Sequence, residues 1–130
     1  MREREKPPRN GLHKEYFRDG KLASAGRYRD GERTGPWRFF LRNGKPRAVG
    51  RLVDGQLTGI WKWYRENGGL LQVGRFESGM QVGLWKRYPK SGRLMDIGRF
   101  SAGKKTGDWK YFDKEGKFQR TTRHRTTSGK

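Results

Sequence analysis

The sequence contains no cysteine and only two histidines, His13 and His124. Without cysteine there is no disulfide framework and no thiolate zinc site. Two histidines so far apart along the chain do not make a metal centre, and no cofactor is expected. No apolar run approaches the ~20 residues that a membrane-spanning helix needs. The opening Met1-Arg2-Glu3-Arg4-Glu5-Lys6-Pro7-Pro8 carries charge but not the apolar stretch of a secretory signal. The expected location is cytoplasmic. Acids are few: 13 Asp and Glu stand against 32 Lys and Arg, so the 130 residues carry a net charge of +19. Hydrophobic residues make up only 30%, a combination that usually marks disorder. The rings argue against disorder, because five Trp, five Tyr and seven Phe recur at regular intervals. A glycine-rich chain with many rings and few aliphatics predicts short strands packed through aromatic side chains.

The glycines reveal a repeat. Gly11, Gly35, Gly59, Gly83 and Gly107 are separated by steps of 24 residues. Three further series keep the same step: Gly20 to Gly116, Gly26 to Gly98, and Gly31 to Gly103. Trp37, Trp61, Trp85 and Trp109 follow it too, with His13 at the equivalent place in the first unit. Residues 11–118 divide into five units, 11–34, 35–58, 59–82, 83–106 and a partial 107–118. A basic, proline-containing segment (1–10) precedes them, and a basic tail (119–130), expected to be disordered, follows. Each unit has two turn signals, Asn43-Gly44 and Asp54-Gly55 in the second, and such pairs favour two-residue type I′ hairpins. No stretch shows helical periodicity. The expected fold is all-β: a single-layer antiparallel meander of about ten short strands, one hairpin per unit.

The pattern Gly-x-Trp-x-x-Tyr…Asn-Gly-x-Leu…Gly-x-Phe-x-x-Gly over 11–118 resembles membrane occupation and recognition nexus (MORN) repeats. It is similar in particular to a bacterial 24-residue variant often labelled an antitoxin component. The resemblance implies a β-hairpin repeat fold and a non-catalytic role. The label implies a cognate protein partner, and other repeats of this kind occur in lipid-associated and scaffolding proteins.

With two-residue loops, register follows by counting. Lys45 opposes Arg42, Arg47 opposes Phe40, Val49 opposes Arg38 and Gly50 opposes Trp37. One face then carries Trp37 over Gly50, Trp61 over Gly74 and Trp85 over Gly98, with Pro46, Phe39, Leu52, Tyr28, Phe76 and Phe100. This face is the expected core. The other face carries Lys14, Arg38, Lys62, Lys86 and Lys110, then Arg27, Arg51, Arg75, Arg99 and Arg123. Between these cations lie the rings Tyr16, Phe40, Tyr64, Tyr88 and Phe112, and the small aliphatics Ala25, Val49, Val73 and Ile97. Five basic positions at two-strand spacing make a ladder ~38 Å long.

A basic, ring-studded face is the expected ligand-binding surface. Rings stack on bases and Lys or Arg neutralise phosphates. Long basic side chains also cover rings for structural reasons alone, which is compatible with presenting charge. A charge of +19 exceeds the ~2–8 that solubility asks of a small domain. An acidic macromolecule is the expected partner: nucleic acid first, then an anionic membrane surface or an acidic protein. An antitoxin-type complex with a partner protein, and self-assembly through open terminal strands, are the other readings. Catalysis has no foothold. Asp19, Asp30, Asp54 and Asp113 lie in turns, where short acids bond their own backbone, and no Ser or Thr has a histidine at a usable spacing.

Overall fold

The computed structural model describes residues 7–89 and 93–125. They form β1 (Gly11–Tyr16), β2 (Leu22–Arg29), β3 (Glu32–Phe40), β4 (Pro46–Val53), β5 (Gln56–Tyr64), β6 (Leu70–Glu77), β7 (Met80–Arg87), β8 (Asp96–Ser101), β9 (Lys104–Phe112) and β10 (Phe118–His124). All ten strands lie in one sheet in chain order, each antiparallel to its neighbours. The expected single-layer meander is what the chain adopts. Among the described residues there is no helix, and so none long and apolar enough to cross a membrane. Residues 1–6 of the N-terminal segment, the Ser91-Gly92 turn and residues 126–130 of the tail lie outside the described residues.

The two turns of the second unit differ in kind. Asp54 and Gly55 both have positive φ, 50° and 80°, and Val53 pairs with Gln56. This is the type I′ hairpin, and Asp30-Gly31, Ser78-Gly79 and Ala102-Gly103 repeat it. At Asn43-Gly44 only the glycine has positive φ. The Leu41 amide donates to the Lys45 carbonyl, the Gly44 amide to that of Leu41, and the Asn43 side chain accepts from Lys45 N–H. That is a three-residue loop closed by a glycine bulge, not the expected two-residue turn. Phe40 therefore pairs with Pro46, and Arg47 stands unpaired in the bulge before Phe39 meets Ala48. Pro46 lies opposite Phe40, so its expected place on the core face is corrected. Loop and bulge offset one another, and from Arg38↔Val49 and Trp37↔Gly50 onward the counted register holds.

A second irregularity places the tryptophans. Ala25 pairs with Arg38 and Arg27 with Thr34, so Gly26 alone faces Gly35, Pro36 and Trp37. The Trp37 indole lies across Gly26, and its Nε1–H donates to the Arg27 carbonyl at 3.0 Å. Trp61 lies across Gly50 and bonds Arg51, Trp85 across Gly74 and bonds Arg75, Trp109 across Gly98 and bonds Arg99. Each indole thus covers the glycine of the preceding unit. The expected coverage within a unit, Trp37 over Gly50, is corrected. The wide bulge frees a carbonyl on the preceding strand, and the indole N–H reaches it there.

These indoles are the core. Trp37, Trp61, Trp85 and Trp109 are buried to within 3% of complete. Tyr28, Trp37, Phe39, Trp61, Trp63 and Trp85 follow one another with ring centroids 5.5–6.2 Å apart, and Phe100 and Trp109 extend the row. Cations close the row at its ends: Arg33 lies over Trp37 at 4.9 Å, Lys105 over Trp109 at 4.6 Å and Arg120 over Tyr111 at 4.3 Å. The tail is corrected too. Residues 119–124 pair with β9 as β10, and His124 packs edge-on against Trp109. Ring burial and strand pairing offset the polar composition of this segment.

One unit departs from the ring row. Arg87 holds the place of Phe39, Trp63 and Tyr111, and opposite it Asp96 is 1% exposed. The Arg87 Nε–H donates to both Asp96 oxygens at 3.1–3.2 Å, and Nη2 bonds Oδ2. The hydrogen bonds that the guanidinium donates to Asp96 outweigh burial and hold it more firmly protonated than usual. Arg87→Met leaves a buried carboxylate without a partner and is expected to cost about 3–5 kcal/mol. The double replacement Arg87→Phe, Asp96→Ala restores the Phe39–Ala48 pairing of the second unit and should recover most of that loss. Urea unfolding of the two variants measures both effects.

Candidate polyanion-binding face

Side chains that do not join the ring row project from the opposite side of the sheet. The pairings Lys14↔Ala25, Arg38↔Val49, Lys62↔Val73, Lys86↔Ile97 and Lys110↔Thr121 put basic and small residues side by side in one row. Leu12↔Arg27, Pro36↔Arg51, Ile60↔Arg75, Leu84↔Arg99 and Asp108↔Arg123 make a second row, two residues further along the strands. Lys62 and Arg75 therefore lie on the same side. Tyr16, Phe40, Tyr64 and Phe112 form a third row, paired with Leu22, Pro46, Leu70 and Phe118. Tyr88 follows β7 directly, half-buried.

Charge on this face is largely uncompensated. Nine of the ten cations are exposed and Lys86 is half-buried. Arg123 makes an ion pair with Asp108 at 3.2 Å, and the other nine have none among the described residues. Arg38 also lies over the Phe40 ring at 5.8 Å. A cleft of about 330 Å³ opens between β7, β8 and β9, with Arg99, Lys110, Thr106 and Asp108 around it and Leu84 and Ile97 as its apolar wall. Among the described residues no group of His, Asp or Glu side chains is arranged to hold a metal ion.

Sequence reasoning placed Tyr16 and the small aliphatics on this face but missed its other large apolar side chains. Among the described residues, Leu12, Tyr16, Val53, Ile60, Met80, Leu84 and Phe118 are the exposed large hydrophobic residues, at 42–73%, and strand alternation puts all seven on the cationic side. The signal was present in the residue before His13 and before each tryptophan of the series: Leu12, Pro36, Ile60, Leu84 and then Asp108. Arg33, Arg47, Lys105 and Arg120 lie over rings of the other side.

One hairpin per unit, sequential pairing and an indole over every preceding glycine define a β-hairpin repeat protein. The family model described as MORN repeat variant matches residues 9–30 and 57–77. The lattice of those two segments recurs at every 24-residue step between and beyond them, so the likeness to MORN repeats extends in pattern along the array. No curated protein matches the sequence.

Proposed function

We propose that this chain is a non-catalytic binding module whose cationic face holds a nucleic-acid strand along the array. The observation that carries the reading is the set of nine cations without ion-pair partners among the described residues, arranged in two rows beside a row of rings. Phosphates would lie along the Lys and Arg rows and bases against Tyr16, Phe40, Tyr64, Tyr88 and Phe112. Recognition through phosphate and stacking is tolerant of sequence. Titration of the protein into labelled single-stranded oligonucleotides at several salt concentrations tests this. Log affinity should fall linearly with log salt, by about 0.7 per phosphate contacted; a flat dependence excludes the reading.

The seven exposed hydrophobic residues on the same face favour a second reading, an anionic bilayer surface. Cations near such a surface contribute about 1 kcal/mol each, and the apolar side chains enter the headgroup region. Vesicles containing phosphatidylserine should then retain the protein, and phosphatidylcholine vesicles should not.

A further inference from the structure

The only two histidines of the chain stand on the two terminal strands of the sheet. His13 holds on β1 the place of the tryptophans, and His124 holds on β10 the place of Tyr28, Leu52, Phe76 and Phe100. Both belong to the ring face, His13 edge-on to Tyr28 at 5.7 Å and His124 edge-on to Trp109 at 6.3 Å. Each leaves a buried Nε2 without a hydrogen-bond partner. His13 is 9% exposed, and Glu15 Oε2 is 3.6 Å from its Nε2. A buried imidazole nitrogen left unpaired costs stability.

The internal junctions define what would satisfy these groups. Where an even strand meets the following odd strand, rings nine residues apart meet edge-on: Tyr28 with Trp37, Phe76 with Trp85, Phe100 with Trp109, at 5.2–5.5 Å. The indole of the odd strand donates to an arginine carbonyl on the even one. Neither β1 nor β10 has an outer neighbour among the described residues. One further step of the lattice sets His124 against His13 of a second copy, and offers that His13 the Arg123 carbonyl. Asp96↔Tyr111 and Ile97↔Lys110 become Arg120 opposite Glu15 and Thr121 opposite Lys14 of the second copy. The first of these pairs is oppositely charged. Thr122 stands where the other even strands have glycine, and the imidazole that meets it is smaller than an indole.

We propose that copies of this chain associate head to tail, with β10 of one beside β1 of the next in the internal register. The contact is heterologous, so it grows as an open series and does not close at a dimer. Copies carrying +19 each repel at low salt. Association therefore strengthens as salt rises, the opposite of polyanion binding, so the two readings fail independently.

Sedimentation velocity of the full chain, from micromolar concentration upward at low and high salt, tests the proposal. Average mass should rise with concentration and with salt. Arg120→Glu should weaken association about fivefold, the upper range for one cross-strand charge pair, and adding Glu15→Arg should restore it. His13→Trp with Thr122→Gly recreates an internal junction and should strengthen association tenfold or more, given about what an indole contributes. Circular dichroism establishes that each variant is folded. A chain that stays monomeric throughout, a series that stops at dimers, or a charge swap without rescue overturns the proposal.

Discussion

Gly74→Ala is expected to cost about 3–5 kcal/mol, as much as deleting an indole from the core. The position is extended backbone that alanine adopts freely, so the penalty is purely one of space. A Cβ at Gly74 falls inside the Trp85 ring. The ring cannot retreat, because its Nε1–H is bonded to the carbonyls of Arg75 and Val82 at 3.2 Å and it packs against the Trp63, Phe76 and Phe100 rings. Trp85→Ala should cost a similar amount by leaving a cavity. Both are large fractions of the ~5–15 kcal/mol that holds a domain together. Val73→Ala, one residue away on the cationic face, should cost about 1 kcal/mol or less. Urea unfolding followed by tryptophan fluorescence compares the three. A Gly74→Ala protein as stable as the parent would show that the indoles are not seated on glycine.

The second large effect concerns binding. Replacing Lys62, Arg75, Lys86 and Arg99 together with glutamine removes four neighbouring cations without touching the ring row. The slope of log affinity against log salt should drop by about 3 for a single-stranded ligand. Stability should hold or rise slightly, since four neighbouring like charges are gone. Retained binding with an unchanged slope would place the ligand elsewhere.

How much of this was legible in the sequence follows from where local chemistry suffices. Asp54-Gly55 reads directly as a type I′ turn because both residues need positive φ. Asn43-Gly44 carries the same letters, yet Asn43 stays in the ordinary region and only Gly44 is left-handed. Asn-Gly suits both loops, and the choice rests on whether Arg47 can bulge out over Phe39. The counted faces survived because loop and bulge cancel before Arg38. The seating of Trp37 on Gly26 was not legible, since it depends on a three-against-one bulge across a strand pair joined through the second turn. Composition misled at the C-terminus: Gln119–His124 has no aliphatic residue, and His124 serves as its ring. Alternation identified the cation rows. It did not disclose that Leu12, Ile60 and Leu84 would stay exposed beside them, because period-two patterns give the side and not the cover.

The most direct measurement follows arginine Nε–H and tryptophan indole N–H resonances in one nitrogen-15 NMR spectrum while a single-stranded oligonucleotide is added. The side chains of Arg51, Arg75 and Arg99 report the cationic face, and the indoles of Trp37, Trp61 and Trp85 report the ring face. Shifts concentrated on these arginines with the indoles unmoved are the predicted result. Shifts of the indoles or of Arg33 and Arg47, with Arg51, Arg75 and Arg99 unperturbed, would contradict it.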